Sequence, residues 1–349
     1  MKNKIALASA FFAAASISTA EIVVNDFLSF EGFVDSIYTH TDRDDEGAND
    51  NENSFQVDQV EISWLFDFDT VTAQVDLQYE GGSNGGTGTD GELVEQAFVS
   101  YALGNGDVVT AGRYGSMLGF EAFEPTGLYQ NSFAYVANGL PLYAQGVKYT
   151  RETESSFYGI SIQDEAFNNG PDNNLSSSSY AVEIATAQDL GNGIAVFLGG
   201  AYEDSADGDT YIINTYATYE TGAWLFAAEF NYGNSEIGAF DVATLLGQTP
   251  ANPFGGNANE VDVYSGLLMA NYAYNETASV TGRISYEEID GNVDADIVKY
   301  TLAHNKALAD NLLLVTEVSF SDGDLGDATA APDAEVEELF FAAELLFTF

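Results

Sequence analysis

A chain of 349 residues that is 46% apolar and 13% aromatic is too hydrophobic for a disordered acidic tract, despite 55 Asp and Glu against 9 Lys and Arg. That balance all but excludes nucleic acid as a partner and rules out other polyanions, because phosphate recognition needs a basic stripe. With no Cys and 2 His, disulfide frameworks, thiolate sites, cysteine nucleophiles and His-rich metal centres lose their ligands, and no cofactor is expected.

Lys2 and Lys4, the small and apolar run from Ile5 to Ile17, and the small-x-small pattern Ser18-Thr19-Ala20 read as an export leader over residues 1–20. The run is too short for a membrane-spanning helix, which needs about 20 predominantly apolar residues. No later stretch approaches that length, so any membrane span has to be built of strands. The leader contains two of the nine cations and none of the acids, which leaves seven cations in the mature chain. Residues 21–349 show no linker or compositional break and read as one domain.

Period-two alternation dominates from residue 28 onward. Val60, Ile62, Trp64, Phe66 and Phe68 interleave with Gln59, Glu61, Ser63 and Asp67; Val71, Ala73, Val75, Leu77 and Tyr79 interleave with Thr72, Gln74, Asp76 and Gln78. Similar segments begin near residues 28, 54, 70, 93, 107, 145, 155, 178, 193, 209, 223, 260, 276, 295, 311 and 335, about sixteen strands in all. Tight connections, such as Gly104-Asn105-Gly106-Asp107 and Thr221-Gly222, alternate with long or acidic ones at 41–53, 82–91, 116–144, 164–177, 203–208, 234–259, 290–294 and 321–334. A soluble sandwich has no reason to sort its turns in this way. A transmembrane antiparallel β-barrel does, with short periplasmic turns, long outer loops and girdles of strand-end tyrosines. Leu339, Phe341, Ala343, Leu345, Phe347 and Phe349 alternate up to a terminal aromatic residue, a suitable last strand for recognition by the barrel-assembly machinery. About sixteen strands also leave an aqueous channel inside.

The segments Ala111-Gly112-Arg113-Tyr114, Leu118-Gly119-Phe120-Glu121 and Gly139-Leu140-Pro141-Leu142 resemble the OmpL-like β-barrel porins. That resemblance implies passive diffusion of small hydrophilic solutes and ions through the outer membrane, with lipid around the barrel, and no enzymatic activity. A homotrimer is kept in view because threefold porin assemblies are common.

The third long loop, 116–144, carries Met117, Leu118, Phe120, Phe123, Leu128, Phe133, Tyr135, Leu140 and Leu142, which need something to pack against. It is expected to fold into the lumen and form the constriction, with Glu121 and Glu124 presented to the pore. Packing over the barrel mouth or at a subunit contact is the alternative. Arg113, Lys148, Arg151, Arg283 and Lys299 fall on strands and are expected to point inward, since a lipid-facing cation costs about 2–4 kcal/mol at the midplane. The first three lie roughly half a turn of the ring from the last two. They form either a basic wall opposing the loop carboxylates or local partners for lumen acids such as Glu183 and Glu287.

Asp42-x-Asp44-x-Glu46-Gly47 resembles the opening of a calcium loop, but Asn53 stands where a bidentate Glu is required and no helices flank it. No defined metal site is expected. His40 and His304, the only candidate bases of a barrel hydrolase, are expected at opposite ends of the barrel. An adhesion or receptor barrel acting through its acidic loops is the other alternative, and it predicts no conductance.

Overall fold

The computed structural model describes residues 21–45, 48–80, 93–135, 139–167, 180–205, 208–236, 260–291, 295–325 and 334–349. The expected leader, 1–20, lies outside them. The strands are β1 (Ile22–Asn25), β2 (Leu28–Asp45), β3 (Ala48–Phe68), β4 (Val71–Glu80), β5 (Val94–Gly104), β6 (Asp107–Gly115), β7 (Tyr143–Glu152), β8 (Ser156–Gln163) and β9 (Tyr180–Gly191). They continue as β10 (Ile194–Ser205), β11 (Gly208–Thr221), β12 (Trp224–Ser235), β13 (Val261–Asn275), β14 (Ala278–Asp290), β15 (Ala295–Ala309), β16 (Leu312–Leu325) and β17 (Ala334–Thr348). From β2 onward each strand pairs antiparallel with the next, and β17 returns to β2. The result is a closed sixteen-strand barrel plus one extra strand, β1. Closure satisfies the strand-edge hydrogen bonds that lipid could not.

Alternation writes the two faces. Along β14, Val280, Ile284 and Tyr286 are exposed while Ser279, Thr281, Arg283, Ser285 and Glu287 are buried, the reverse of a soluble sheet. Leu198, Phe230, Leu268, Leu302 and Val318 continue the exposed apolar belt. Such a belt with a polar interior is what a lipid-facing barrel needs. On the side of the tight turns, Asp69, Asn105 and Asn192 take positive φ, which short Asp and Asn side chains tolerate.

The ring is sealed at Gly32, whose backbone exchanges two hydrogen bonds of 2.9 Å with Phe349. A Cβ at Gly32 would lie 2.3 Å from the Glu61 carbonyl and 2.8 Å from the Phe349 ring, so the close approach of the β3 backbone requires a glycine there. β1 pairs with β2 over Leu28–Phe30, beyond the point where β17 ends, and prolongs its ladder.

Two expected outer loops, 41–53 and 203–208, are largely paired strand. β2 and β3 stay paired up to Asp45 and Ala48, and β10 and β11 up to Ser205 and Gly208. Acidic runs hide the alternation there, yet ladder hydrogen bonds above the membrane do not depend on hydropathy. Asp42 and Asp44 therefore sit in a strand, opposite Asn51 and Asn49, instead of opening a calcium loop.

Two bulges bear on the interior. Asp58 is the extra residue of β3 opposite Asp35 and Ser36, and Glu95 is the extra residue of β5 opposite Asp76 and Leu77. A bulge re-aims a side chain, and both of these carboxylates are buried.

Candidate pore constriction

The loop joining β6 to β7 begins at Ser116, and its apolar residues pack on a matching strip of strand. Met117, Leu118 and Leu140 meet Ala185, Ala187, Phe197, Ala201 and Ile212. Phe120, Tyr129, Ala134 and Tyr135 meet Leu225, Ala227, Leu267 and Met269. Small alanines on β9 and β10 leave room for the loop, and Tyr216 is held between Phe197, stacked at 4.5 Å, and Phe120 at 5.7 Å.

Buried glutamates then hold the loop backbone. Glu183 on β9 accepts from the Met117 amide and, at 3.1 Å, from Ser116 Oγ. Gly119, at φ 101°, turns successive amides so that its own reaches Asn214 Oδ1 at 3.0 Å and that of Phe120 reaches Glu229 at 2.8 Å. Glu229 also accepts from Tyr135 Oη and Asn214 Nδ2. On β16, Glu317 accepts from the Asn131 and Ser132 amides at 2.8 and 2.9 Å, and Glu344 on β17 accepts from Asn131 Nδ2 at 3.0 Å. Hydrogen bonds to a charged group contribute about 1.5–3 kcal/mol each. The same device serves the next outer loop, where Glu203 accepts from the amides of Ala166 and Phe167. These anchors were missed in the sequence, apart from Glu183, expected as a partner for a cation. The available signal is a Glu at a polar-face position flanked by apolar residues, as in Ala228-Glu229-Phe230.

Loop carbonyls find donors on β14 and β15. Arg283, 2% exposed, donates to the Ser132 and Phe133 carbonyls at 2.9 and 3.1 Å and forms an ion pair with Glu121. Lys299 donates to the Phe133 carbonyl at 3.0 Å, while Thr281 and Asn305 both reach the Tyr129 carbonyl at 3.1 Å. Glu121 also accepts from the Ala134 amide and Gln130. The two predicted loop carboxylates thus part company. Glu121 is tied to β14, whereas Glu124 accepts from Gln59 Nε2 on β3 at 3.1 Å and lies 3.4 Å from Tyr143 Oη on β7.

Glu124 completes a group with Glu61 on β3 and Glu95 on β5, each offering a carboxylate oxygen within 4.8 Å of the others. Burial and the two neighbouring carboxylates hold Glu124 well above the usual carboxylate range. Arg113 stands beside this group: its Nε donates to the Glu95 carbonyl at 2.8 Å and its guanidinium lies 5.5 Å from the Tyr143 ring centre. Lys148 shares the inner face of β7, over the Tyr114 ring at 4.3 Å, and donates to the Gly115 carbonyl. Nearby on β2, Asp35 is 1% exposed and neither of its oxygens has a hydrogen-bond partner.

Arg151 does not point inward as expected. It lies on the exposed face of β7 with Val147 and Tyr149, and pairs with Asp107 at 3.7 Å. The cost that argued for an inward cation applies at the membrane midplane and falls to about 0–1 kcal/mol near the interfaces, where this strand end lies. His40 contacts Asn53, and His304 contacts Tyr274 at the tight-turn end of β15, so the structure does not bring the two together.

No curated protein matches the sequence. Among solved structures, the chain is similar to an anion-selective porin from Comamonas acidovorans, with TM-score 0.66, 16% identity, and 92% of this chain and 99% of that one covered. It is also similar to Salmonella typhi OmpF in complex with daunomycin, with TM-score 0.64, 15% identity, and 95% and 100% covered. A trimer form of Vibrio cholerae OmpT gives TM-score 0.60, 13% identity, and 92% and 99% covered. At such identities these likenesses establish the barrel alone. The family described as "Putative beta-barrel porin-2, OmpL-like" matches residues 28–349, nearly the whole barrel. The chain belongs to that family and is a passive-diffusion channel of the outer membrane.

Proposed function

We propose that residues 116–144 fold into the lumen as the constriction, and that solutes pass through the part of the lumen that the loop leaves open. The supporting observation is the loop's attachment through polar-face side chains of β9, β11, β12 and β14 to β17, with a link to β3 through Glu124. A segment bonded to strands so far apart on a closed ring has its shortest course through the inside.

The proposed pore lining keeps Glu124, Arg113, Lys148, Lys299, Arg283 and Glu121, and releases Arg151. Arg283 and Glu121 act as one fixed pair that sets the width. The buried acids Asp35, Asp58, Glu61, Asp76 and Glu95 act on the passage through their field, against Arg113 and Lys148. We infer a mild cation preference, carried by the acidic wall and by the large surplus of Asp and Glu over Lys and Arg, and fading as salt screens the mouths. The anion selectivity of the Comamonas porin stays with that protein. The test is a reversal-potential measurement on purified protein in a planar bilayer: cation preference at low salt is expected, and firm anion selectivity would overturn this charge ranking. A barrel acting as an adhesin instead would give no channels at all.

The same reading takes residues 1–20 as a leader removed on export, and outer-membrane lipid as the partner of the exposed apolar belt. Phe349 on the last strand would be what the assembly machinery recognises. A homotrimer is proposed by analogy with the trimer form of OmpT, and the family and fold point to a channel in preference to an enzyme.

A further inference from the structure

Three separate segments bring Glu61, Glu95 and Glu124 together: the inner face of β3, the bulge of β5 and the loop. Three carboxyl groups beside one guanidinium leave a surplus of acid among buried side chains. Buried charges persist only when paired, protonated or coordinated to a metal. Neutral donors hold one oxygen of each acid. Ser63 Oγ donates to Glu61 Oε1 at 2.7 Å, Tyr143 Oη to Glu95 Oε1, and Gln59 Nε2 to Glu124 Oε2 at 3.1 Å. Glu61 is 7% exposed, and its second oxygen, Oε2, is buried with no hydrogen-bond partner. An orphaned carboxylate oxygen inside a cluster of acids points to a ligand that brings positive charge.

The ligand chemistry selects among cations. Calcium binds oxygen at about 2.3–2.6 Å, so two ligands on opposite sides of one ion stand about 5 Å apart. Oxygens within 4.8 Å of one another are close enough to converge on one such ion. Magnesium keeps several waters and is held by one or two carboxylates in preference to an all-protein set of ligands. All the donors are oxygen, which suits a hard cation and disfavours the softer transition metals.

We propose that Glu61, Glu95 and Glu124 form a binding site for a hard divalent cation of the calcium type, which ties the loop to β3 and β5. Binding here would pin the loop end that carries Glu124 and neutralise the acidic wall beside the passage. The inference takes the constriction as its setting, but binding itself can be measured without an open pore.

The experiment is calorimetric titration of the full-length barrel in detergent with calcium chloride, after chelation and at salt high enough to screen the outer acids. One saturable site per chain is expected, weakened at least tenfold in Glu61→Gln and in Glu124→Gln, and unchanged in Glu154→Gln at an exposed turn. Should Glu61→Gln fail to assemble, Glu124→Gln decides, because the loop is not part of the strand ring. Absence of a saturable site, or binding that Glu124→Gln leaves intact, would overturn the proposal. Binding with this pattern in a protein that does not conduct would support the site and count against the pore reading alone.

Discussion

The two halves of the barrel interior use the same residue type for opposite ends. On β9, β12 and β16, the buried glutamates Glu183, Glu229 and Glu317 face loop amides and receive two or more hydrogen bonds each. On β2 and β3, Asp35 and Glu61 are as deeply buried, yet Asp35 has both oxygens and Glu61 one oxygen without a partner. The first wall is also padded with Ala185, Ala187, Phe197, Leu225 and Met269. A carboxylate surrounded by donors behaves as a structural anchor. One left open in a wall holds its field for whatever passes or binds.

Removing the loop is the strongest way to break this division. Deleting residues 119–138 should raise single-channel conductance about twofold or more while the barrel still assembles, since the ring closes through β17 and β2 without it. If conductance and selectivity are both unchanged in an assembled barrel, the loop lies outside the passage. A milder version cuts one anchor. Glu317→Ala strands the amides of Asn131 and Ser132, at a cost of about 1–3 kcal/mol for each unsatisfied group. Hydrogen exchange at those two amides should accelerate well before any global loss of structure. The matching change on the open wall, Asp35→Asn, strands nothing and should leave exchange in the loop unaffected.

Much of the barrel is legible in the sequence because a membrane enforces alternation on every strand that crosses it. Where that pressure stops, legibility stops too. The pairings Asp42 with Asn51 and Ser205 with Gly208 stand above the apolar belt, and the eye reads their acidic residues as loop. Pairing partners set the bulges at Asp58 and Glu95, which no single strand reveals. In the loop, the apolar residues announce packing, but their partners are alanines on β9 and β10 and inward residues such as Leu267 and Met269, which lie unmarked in the apolar run 267–270. Glu121 and Glu124 look equivalent three residues apart, and only the fold sends one to Arg283 and the other to Glu61 and Glu95.

That difference gives a smaller but sharper test. Glu124→Lys places a cation among the acids of the open wall and should shift the reversal potential clearly towards anions. Glu121→Lys sets a second cation against Arg283, so it should act mainly by loosening the loop, with noisier and larger conductance. Equal selectivity shifts from the two would mean that both carboxylates face one passage, and the separation of the walls would fail.

The smallest effect is expected at Arg151, where the cost of a lipid-facing cation misleads and the alternation of the strand does not. Its place on β7, three residues after Lys148, puts the two cations on opposite faces of the strand, because side chains alternate with period two. Arg151 is half exposed beside Asp107, and a pair of that kind contributes about 0–1 kcal/mol. Arg151→Gln should therefore leave selectivity and thermal stability unchanged, whereas Lys148→Gln should increase cation preference by removing one of the charges that opposes the acidic wall. A selectivity shift in Arg151→Gln as large as that in Lys148→Gln would mean that the end of β7 is turned round, with its exposed face lining the channel.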